Sequence, residues 1–258
     1  MLHRHRDSHI VVITQPAHAW ISGQIAADWG NPDHGLSPAS LELQISAEQH
    51  DIAWLDWEQH PTLNTRTGLP HAFNEMPTLE HLDLWGTAMP RALAYGRLPA
   101  LLISKHGTYL YRRFHDYDRD SSREAARAKE FLQSEELKQE SLLSQIQAAR
   151  DISQSEITRM RQLLSLWDAM SLALCMGLDD SRTFQDVPAA VDGFSLSITP
   201  TEPLTDRFVI EPWPFKVERL EVECEGRRLG GTFKDEQLMR DALVGAETVP
   251  LRFSLVPA

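Results

Sequence analysis

Residues 152–176 read ISQSEITRMRQLLSLWDAMSLALCM, and this stretch decides the fold class. Its apolar residues recur at helical spacing and fill the last two turns almost completely, so we expect a long helix with a buried end. After Gly177 the apolar period changes to two, which predicts strands around Phe194–Ile198, Leu220–Cys224 and Leu251–Leu255. The stretch therefore marks the boundary between a helical body and a small sheet.

The remaining segments fit the same division. Helical spacing predicts further helices at Pro16–Trp29, 38–52, Thr78–Tyr95 with a kink at Pro90, Leu98–Phe114, 122–149 and Asp235–Leu243. A short strand is predicted at His9–Thr14, and residues 60–77 predict a long loop. We therefore predict a mainly α protein, with a helical bundle over residues 1–178 and a small antiparallel β subdomain over residues 179–258 packed on it.

Composition excludes several classes of function. The 258 residues carry 25 Lys and Arg against 37 Asp and Glu, a net charge of −12, which argues against binding to nucleic-acid backbones. A small anionic substrate remains compatible, because a bound cation reverses the local potential. The two Cys are too few for a disulfide framework, and the apolar run Ile10–Ile13 is too short for a signal peptide or a membrane span. We therefore expect a cytoplasmic protein that does not bind membranes.

Candidate metal ligands lie in the predicted helices. All eleven His fall between His3 and His115, and His is the commonest metal ligand. The His50-Asp51 pair ends the second predicted helix, and Asp168 lies in the buried part of the last long helix. A carboxylate in such a run must be exposed on a polar stripe, paired with a base such as Arg161, or bound to a metal. A structural hydrogen-bonded pair is the alternative for His50 and Asp51.

The order of these residues resembles a known superfamily. His18, the His50-Asp51 pair and Asp168 repeat the order H…HD…D of the HD superfamily of metal-dependent phosphohydrolases. A bacterial branch of HD-like proteins is similar over about Val11 to Val256. The runs that carry this similarity are His50-Asp51-Ile52-Ala53-Trp54 with Trp57, Thr67-Gly68-Leu69-Pro70 with Phe73, Ile103-Ser104-Lys105-His106, Asp168-Ala169-Met170-Ser171-Leu172 with Cys175, and Trp213-Pro214-Phe215.

The resemblance implies an HD-like helical bundle with a divalent metal ion. The ion would be iron, manganese, zinc, nickel or magnesium, held by His18, His50, Asp51 and Asp168. His106 would serve a second ion, and its alternative is a hydrogen-bonded core residue. Such a ligand set leaves positions open for water and a phosphoryl oxygen.

These inferences predict a metal-dependent hydrolase acting on a small phosphorylated molecule or a nucleotide. Asp51 and Lys105 are the predicted catalytic residues, and Arg66, Lys105 and Trp54 are predicted to bind the anionic substrate. A di-iron oxygenase and a non-catalytic ligand-sensing module of the HD type are the alternatives. The charged helix 122–149 is predicted to be a solvated face, with a contact in a homo-oligomer as the other interpretation.

Overall fold

The computed structural model describes residues 1–6, 9–115, 121–189, 193–203 and 205–258. Its helices are α1 (Gln15–Asp28), α2 (Leu41–Glu48), α3 (Leu55–Gln59), α4 (Thr78–Trp85), α5 (Ala88–Ala92), α6 (Arg97–Phe114), α7 (Ser122–Ala149), α8 (Gln154–Met176) and α9 (Glu236–Val244). Short 3₁₀ turns lie at Pro32–His34, Ile52–Trp54, Phe73–Glu75 and Leu93–Tyr95. The predicted kink at Pro90 is replaced by a break at Gly86 and Thr87, since Pro90 lies in the first turn of α5, where proline is tolerated.

A large sheet accompanies the helices. Its strands are β1 (Leu2–Arg6), β2 (His9–Ile13), β5 (Arg182–Val187), β6 (Phe194–Pro200), β7 (Arg207–Glu211), β8 (Leu220–Leu229) and β9 (Glu247–Pro257), and β3 (Leu63–Asn64) with β4 (Leu69–Pro70) forms a separate hairpin. The order in the large sheet is β1-β2-β8-β9-β7-β6-β5, and β7 runs parallel to β9. The predicted mainly α fold with a small antiparallel C-terminal β subdomain is therefore wrong, because the described residues combine 53% helix with a curled, mixed, seven-stranded sheet.

The N-terminal strands explain part of this error. β1 and β2 form a hairpin, and β2 continues the sheet by pairing Ile10 with Leu229 of β8. In β1 the buried side chains are Leu2 and Arg4, and Arg4 is only 2% exposed. Its guanidinium donates to the backbone oxygens of Leu174 and Cys175 at the end of α8 and pairs with Asp206. A charged residue therefore occupies a core position of β1 and interrupts the alternation of apolar and polar residues by which strands are identified.

One hydrophobic core joins the helices to the sheet. Trp29 at the end of α1 packs edge-to-face against Trp167 of α8 and Phe215, with ring centroids 5.6 and 5.8 Å apart. All three rings are almost completely buried. This packing fixes α1 and α8 side by side, and each of the two helices supplies a residue to the site described below. No helix among the described residues has the length and apolar character needed to cross a membrane.

Candidate metal centre

Five buried side chains from four segments meet beneath a large cavity. We call them the histidine–aspartate cluster: His18 of α1, His50 and Asp51 from the turn after α2, His106 of α6 and Asp168 of α8. None is more than 7% exposed. His18, His50 and Asp168 each present a ligand atom within 4.8 Å of the others, so this buried group could hold a metal ion. Asp51 and His106 lie directly beside it.

The spacing of the nitrogens and carboxylate oxygens tests whether an ion fits. His50 Nε2 lies 3.4 Å from Asp168 Oδ1, His106 Nε2 lies 3.3 Å from Asp168 Oδ2, and His18 Nε2 contacts Asp51 Oδ2 at 2.7 Å. Two atoms that each bind one ion at about 2.1 Å lie roughly 3.0–3.4 Å apart in octahedral or tetrahedral geometry. Moreover, the buried Nε2 atoms of His50 and His106 make no hydrogen bond within the described chain. The spacings around Asp168 and the two Nε2 atoms fit a divalent cation, whereas the shorter contact between His18 Nε2 and Asp51 is a hydrogen bond that metal binding would replace.

Hydrogen bonds on the far side of each ring set its orientation. His50 Nδ1 donates to the carbonyl of Ala47 at 2.8 Å, which leaves Nε2 as the ligand atom of the neutral ring. His18 Nδ1 lies 2.8 Å from the Ser171 hydroxyl, and a His18 ring that binds a metal through Nε2 would donate its Nδ1 proton to that oxygen. The ring of His50 is therefore fixed in the tautomer that a metal ligand needs, and Ser171 offers His18 the acceptor that the same tautomer requires.

The turn that carries His50 differs from the predicted helix 38–52. Helix α2 ends at Glu48, and His50 and Asp51 lie in the following turn. Because the last carbonyls of a helix have no partner in the next turn, the oxygen of Ala47 is available to His50 Nδ1. The early end of α2 therefore turns both side chains toward the same point, which two adjacent positions of a continuous helix cannot do easily.

Electrostatics inside the cluster favour ionised carboxylates. Burial alone raises the pKa of Asp168, but the neighbouring His106 and His50 outweigh it and hold the pKa well below the usual value. Burial alone lowers the pKa of His50, whereas Asp51 and Asp168 together raise it to about 9. For His106, burial dominates and lowers the pKa. In the metal-free chain a proton on His50 thus offsets one of the two carboxylate charges, and a bound divalent cation would offset both.

The cavity above the cluster is large and carries cationic side chains. Its volume is about 1340 Å³, and His18, Asp51, His106 and Asp168 lie in its wall while His50 lies behind them. Among the described residues, four arginines also line it, and Glu75 and Asp186 are the carboxylates outside the cluster: Arg66, Arg113, Arg161 and Arg182. The cavity is thus large enough for a small-molecule ligand and suited to an anionic one.

The predicted substrate-binding residues occupy different places. Arg66 and Trp54 both line the cavity, and the buried indole N–H of Trp54 has no hydrogen-bond partner in the described chain. Lys105 lines a second, smaller groove, although the adjacent His106 belongs to the cluster. Lys105 therefore lines a different compartment from Asp51, the residue with which it was predicted to act in catalysis.

His81 also lines the cavity, but its nitrogens are engaged elsewhere. Trp85 Nε1 can only donate, so His81 Nε2 accepts its proton at 3.0 Å, and His81 Nδ1 lies 2.7 Å from the Tyr111 hydroxyl. Burial lowers the pKa of His81 to about 4. This neutral ring is a fixed part of the cavity wall rather than a member of the cluster.

Sequence reasoning missed the residues that orient the cluster. Ser165 and Ser171 lie three positions before and after Asp168, and their hydroxyls contact His106 Nδ1 at 3.0 Å and His18 Nδ1 at 2.8 Å. Residues three apart on a helix share a face. A polar stripe at spacing three inside an otherwise apolar helix was the signal that would have identified them.

Comparison with known proteins identifies the family. Residues 1–230 match the family described as "Protein of unknown function (DUF3891)". The chain belongs to this family. Neither the curated proteins nor the solved structures include a match. The predicted membership of the HD superfamily is therefore wrong, because the matching family is a different one and the large sheet conflicts with an all-helical HD bundle. The family match itself brings no evidence of hydrolase activity.

Proposed function

We propose that this member of the family is a metal-dependent enzyme that hydrolyses a phosphate ester or anhydride of a small molecule. The observation that carries the proposal is the convergence of three buried His Nε2 atoms and two carboxylates at the wall of a cavity that four arginines of the described residues line. A divalent ion bound by the cluster supplies Lewis acidity, which acidifies water and polarises a phosphoryl oxygen. The candidate ions are iron, zinc and nickel, which suit the imidazole ligands, and manganese and magnesium, which suit the carboxylates.

The chain's own residues would perform the remaining steps. Arg66 lines the cavity and would hold the phosphoryl oxygens, since guanidinium groups bind phosphate in bidentate fashion. Trp54 lines the same cavity as Asp51 and offers a buried N–H that has no hydrogen-bond partner among the described residues. Water oxygen would bond to phosphorus as the bond from phosphorus to the leaving oxygen breaks. Asp51, whose pKa His50 and His18 lower despite burial, would accept the proton of that water and return it to the leaving oxygen.

The test measures metal content and phosphate release together. The purified chain is loaded separately with each of the five metals, and phosphate release is assayed on a panel of nucleotides and sugar phosphates. We expect His50→Gln and Asp168→Asn to lose both bound metal and activity. His60→Gln is the matched control, because His60 is exposed and lies outside the cluster, so it should retain both.

Other outcomes would overturn parts of the proposal. Unchanged metal content in both cluster variants would refute the metal site. A filled metal site with no phosphate release from any substrate would refute hydrolysis and favour ligand sensing. Bound iron with consumption of dioxygen would instead favour an oxygenase.

A further inference from the structure

A second groove lies beside α6. The α6 residues that line it are shifted by one position from the α6 residues that line the large cavity. The cavity is lined by His106, Tyr109, Leu110 and Arg113, and the groove by Lys105, Thr108, Tyr109 and Arg112. Both sets follow the spacing i, i+3, i+4, i+7, so each marks one face of the same helix. The groove has a volume of about 200 Å³ and is therefore a distinct, smaller compartment.

Three cations converge on this groove. Lys105 and Arg112 come from α6 and Arg161 comes from α8, while no carboxylate lines the groove among the described residues. Arg112 pairs with Glu136 outside the groove, and Arg161 stacks on Tyr109 with its Cζ atom 4.1 Å from the ring centre. These two partners hold the guanidinium groups in place. Within the described chain, no ion pair joins Lys105 to a carboxylate, and Glu140 is the acidic residue whose field reaches it.

Polar groups complete the lining. Gln139 and Thr108 are buried, and Gln139 Nε2 donates to the Thr108 hydroxyl at 3.2 Å. Thr158 adds an exposed hydroxyl at the rim. A water molecule takes about 30 Å³ in the liquid, so the groove offers room for roughly six waters, which suits a phosphate group and is too small for a nucleoside.

We propose that this groove is a second anion site that binds a phosphate group between Lys105, Arg112 and Arg161. The ammonium and the two guanidinium groups would donate charge-assisted hydrogen bonds to the phosphate oxygens. The site does not depend on the proposed metal chemistry, because Lys105 and Arg112 do not line the large cavity. Arg161 lines both compartments, so a substitution there would not distinguish the two sites, and the test leaves Arg161 unchanged.

The experiment is an NMR titration of the metal-free chain. Inorganic phosphate and adenosine monophosphate are added in separate series, and the backbone amides of Thr108 and Thr158 report on the groove. We expect saturating shifts with at least one probe. Lys105→Gln and Arg112→Gln should each weaken binding about tenfold or more, the effect of losing one charged donor. Two variants are used so that a folding defect in one does not decide the result.

Two controls locate the binding. Lys129→Gln removes one positive charge from an exposed position of α7 outside the groove and should leave the dissociation constant within about twofold. Arg66→Gln changes the large cavity alone and should also leave it unchanged. Saturation by phosphate alone identifies the free anion as the ligand, and saturation by the monophosphate as well extends the site to phosphate esters. Shifts that never saturate, or equal affinity in Lys105→Gln and the wild type, would overturn the proposal.

Discussion

Replacing Ser171 with alanine tests whether its hydroxyl supports metal binding separately from its contribution to the stability of the protein. The Ser171 oxygen lies 2.8 Å from His18 Nδ1 and would accept its proton when Nε2 binds a metal. Ser171 also accepts a hydrogen bond from Ser22 and donates to the carbonyl of Asp168. Alanine removes the acceptor that holds the His18 ring in the ligand tautomer. The Nδ1–H of a ring that is 1% exposed then lacks a partner, so rotation or the other tautomer becomes competitive.

The expected effect follows from that single hydrogen bond. Loss of such an outer-shell contact typically weakens metal binding about 10–100-fold, which corresponds to about 1.4–2.7 kcal/mol. The estimate agrees with the roughly 1–3 kcal/mol cost of leaving a buried donor unsatisfied. The measurement is competition for Zn²⁺ or Mn²⁺ between the chain and a chromophoric chelator at constant pH, with urea unfolding of the metal-free protein alongside.

Ser22→Ala is the matched control. Ser22 is also fully buried and donates to Ser171 and to the carbonyl of Trp167, but among the described residues it makes no side-chain hydrogen bond to His18. Its loss should lower the free energy of unfolding by about 1 kcal/mol and leave the metal dissociation constant within about threefold. The reasoning fails if Ser171→Ala binds metal as tightly as the wild type, or if both variants weaken binding equally.

Three further predictions concern the same region. Metal at about 1,000 times its dissociation constant should raise the free energy of unfolding of the wild type by about 4 kcal/mol. Asp168→Asn should show less than half of this rise in urea unfolding. An equal rise would count against Asp168 as a metal ligand. Because burial lowers the pKa of His81 from 6.5 to about 4, the stability it contributes is present above pH 6.5 and is lost as the pH falls toward 4. At pH 5, about 1.5 units below the usual His pKa, the loss of stability is at most about 2 kcal/mol, because the ring is partly accessible to solvent. Denaturant titrations of His81→Gln should lack this part of the pH dependence. In Gly107→Ala the new Cβ would lie 2.5 Å from the Trp85 ring, so thermal unfolding should show a loss of about 1–3 kcal/mol, whereas Gly230→Ala, with open space around it, should melt like the wild type.

The long helices could be predicted from the sequence because their ends carry local signals. Ser121 with Glu124 and Ser153 with Glu156 form capping boxes, and α7 and α8 begin directly after the two serines. The sheet could not be predicted to the same extent. Its strand β1 buries Arg4, which is stabilised there by carbonyls at the end of α8 about 170 residues away, and no local pattern contains that contact.

The cluster was predictable in its members but not in its geometry. Buried polar residues require partners, so His18 and Asp168 were recognisable as candidates from their apolar neighbours, whereas His50 and Asp51 were chosen for their order with those residues and for the family resemblance. Their common direction depends on the end of α2 at Glu48 and on the packing of α1 against α8, which are tertiary results. The family resemblance used with these residues was wrong, yet the physical argument about buried carboxylates does not depend on it. Whether the cluster binds a metal stays a prediction.

Helix geometry alone explains why Lys105 and His106 have separate surroundings. Adjacent positions on an α-helix point about 100° apart, so a residue that shares a face with His106 must lie three, four or seven positions away. Arg113 satisfies this rule and lines the large cavity, whereas Lys105 shares its face with Arg112 and lines the groove. A substrate bound above the cluster would thus meet Arg113 from α6, and Lys105 would serve an anion that never touches the metal ligands. Lys105→Gln should then change phosphate binding in the groove without changing the metal content of the cluster.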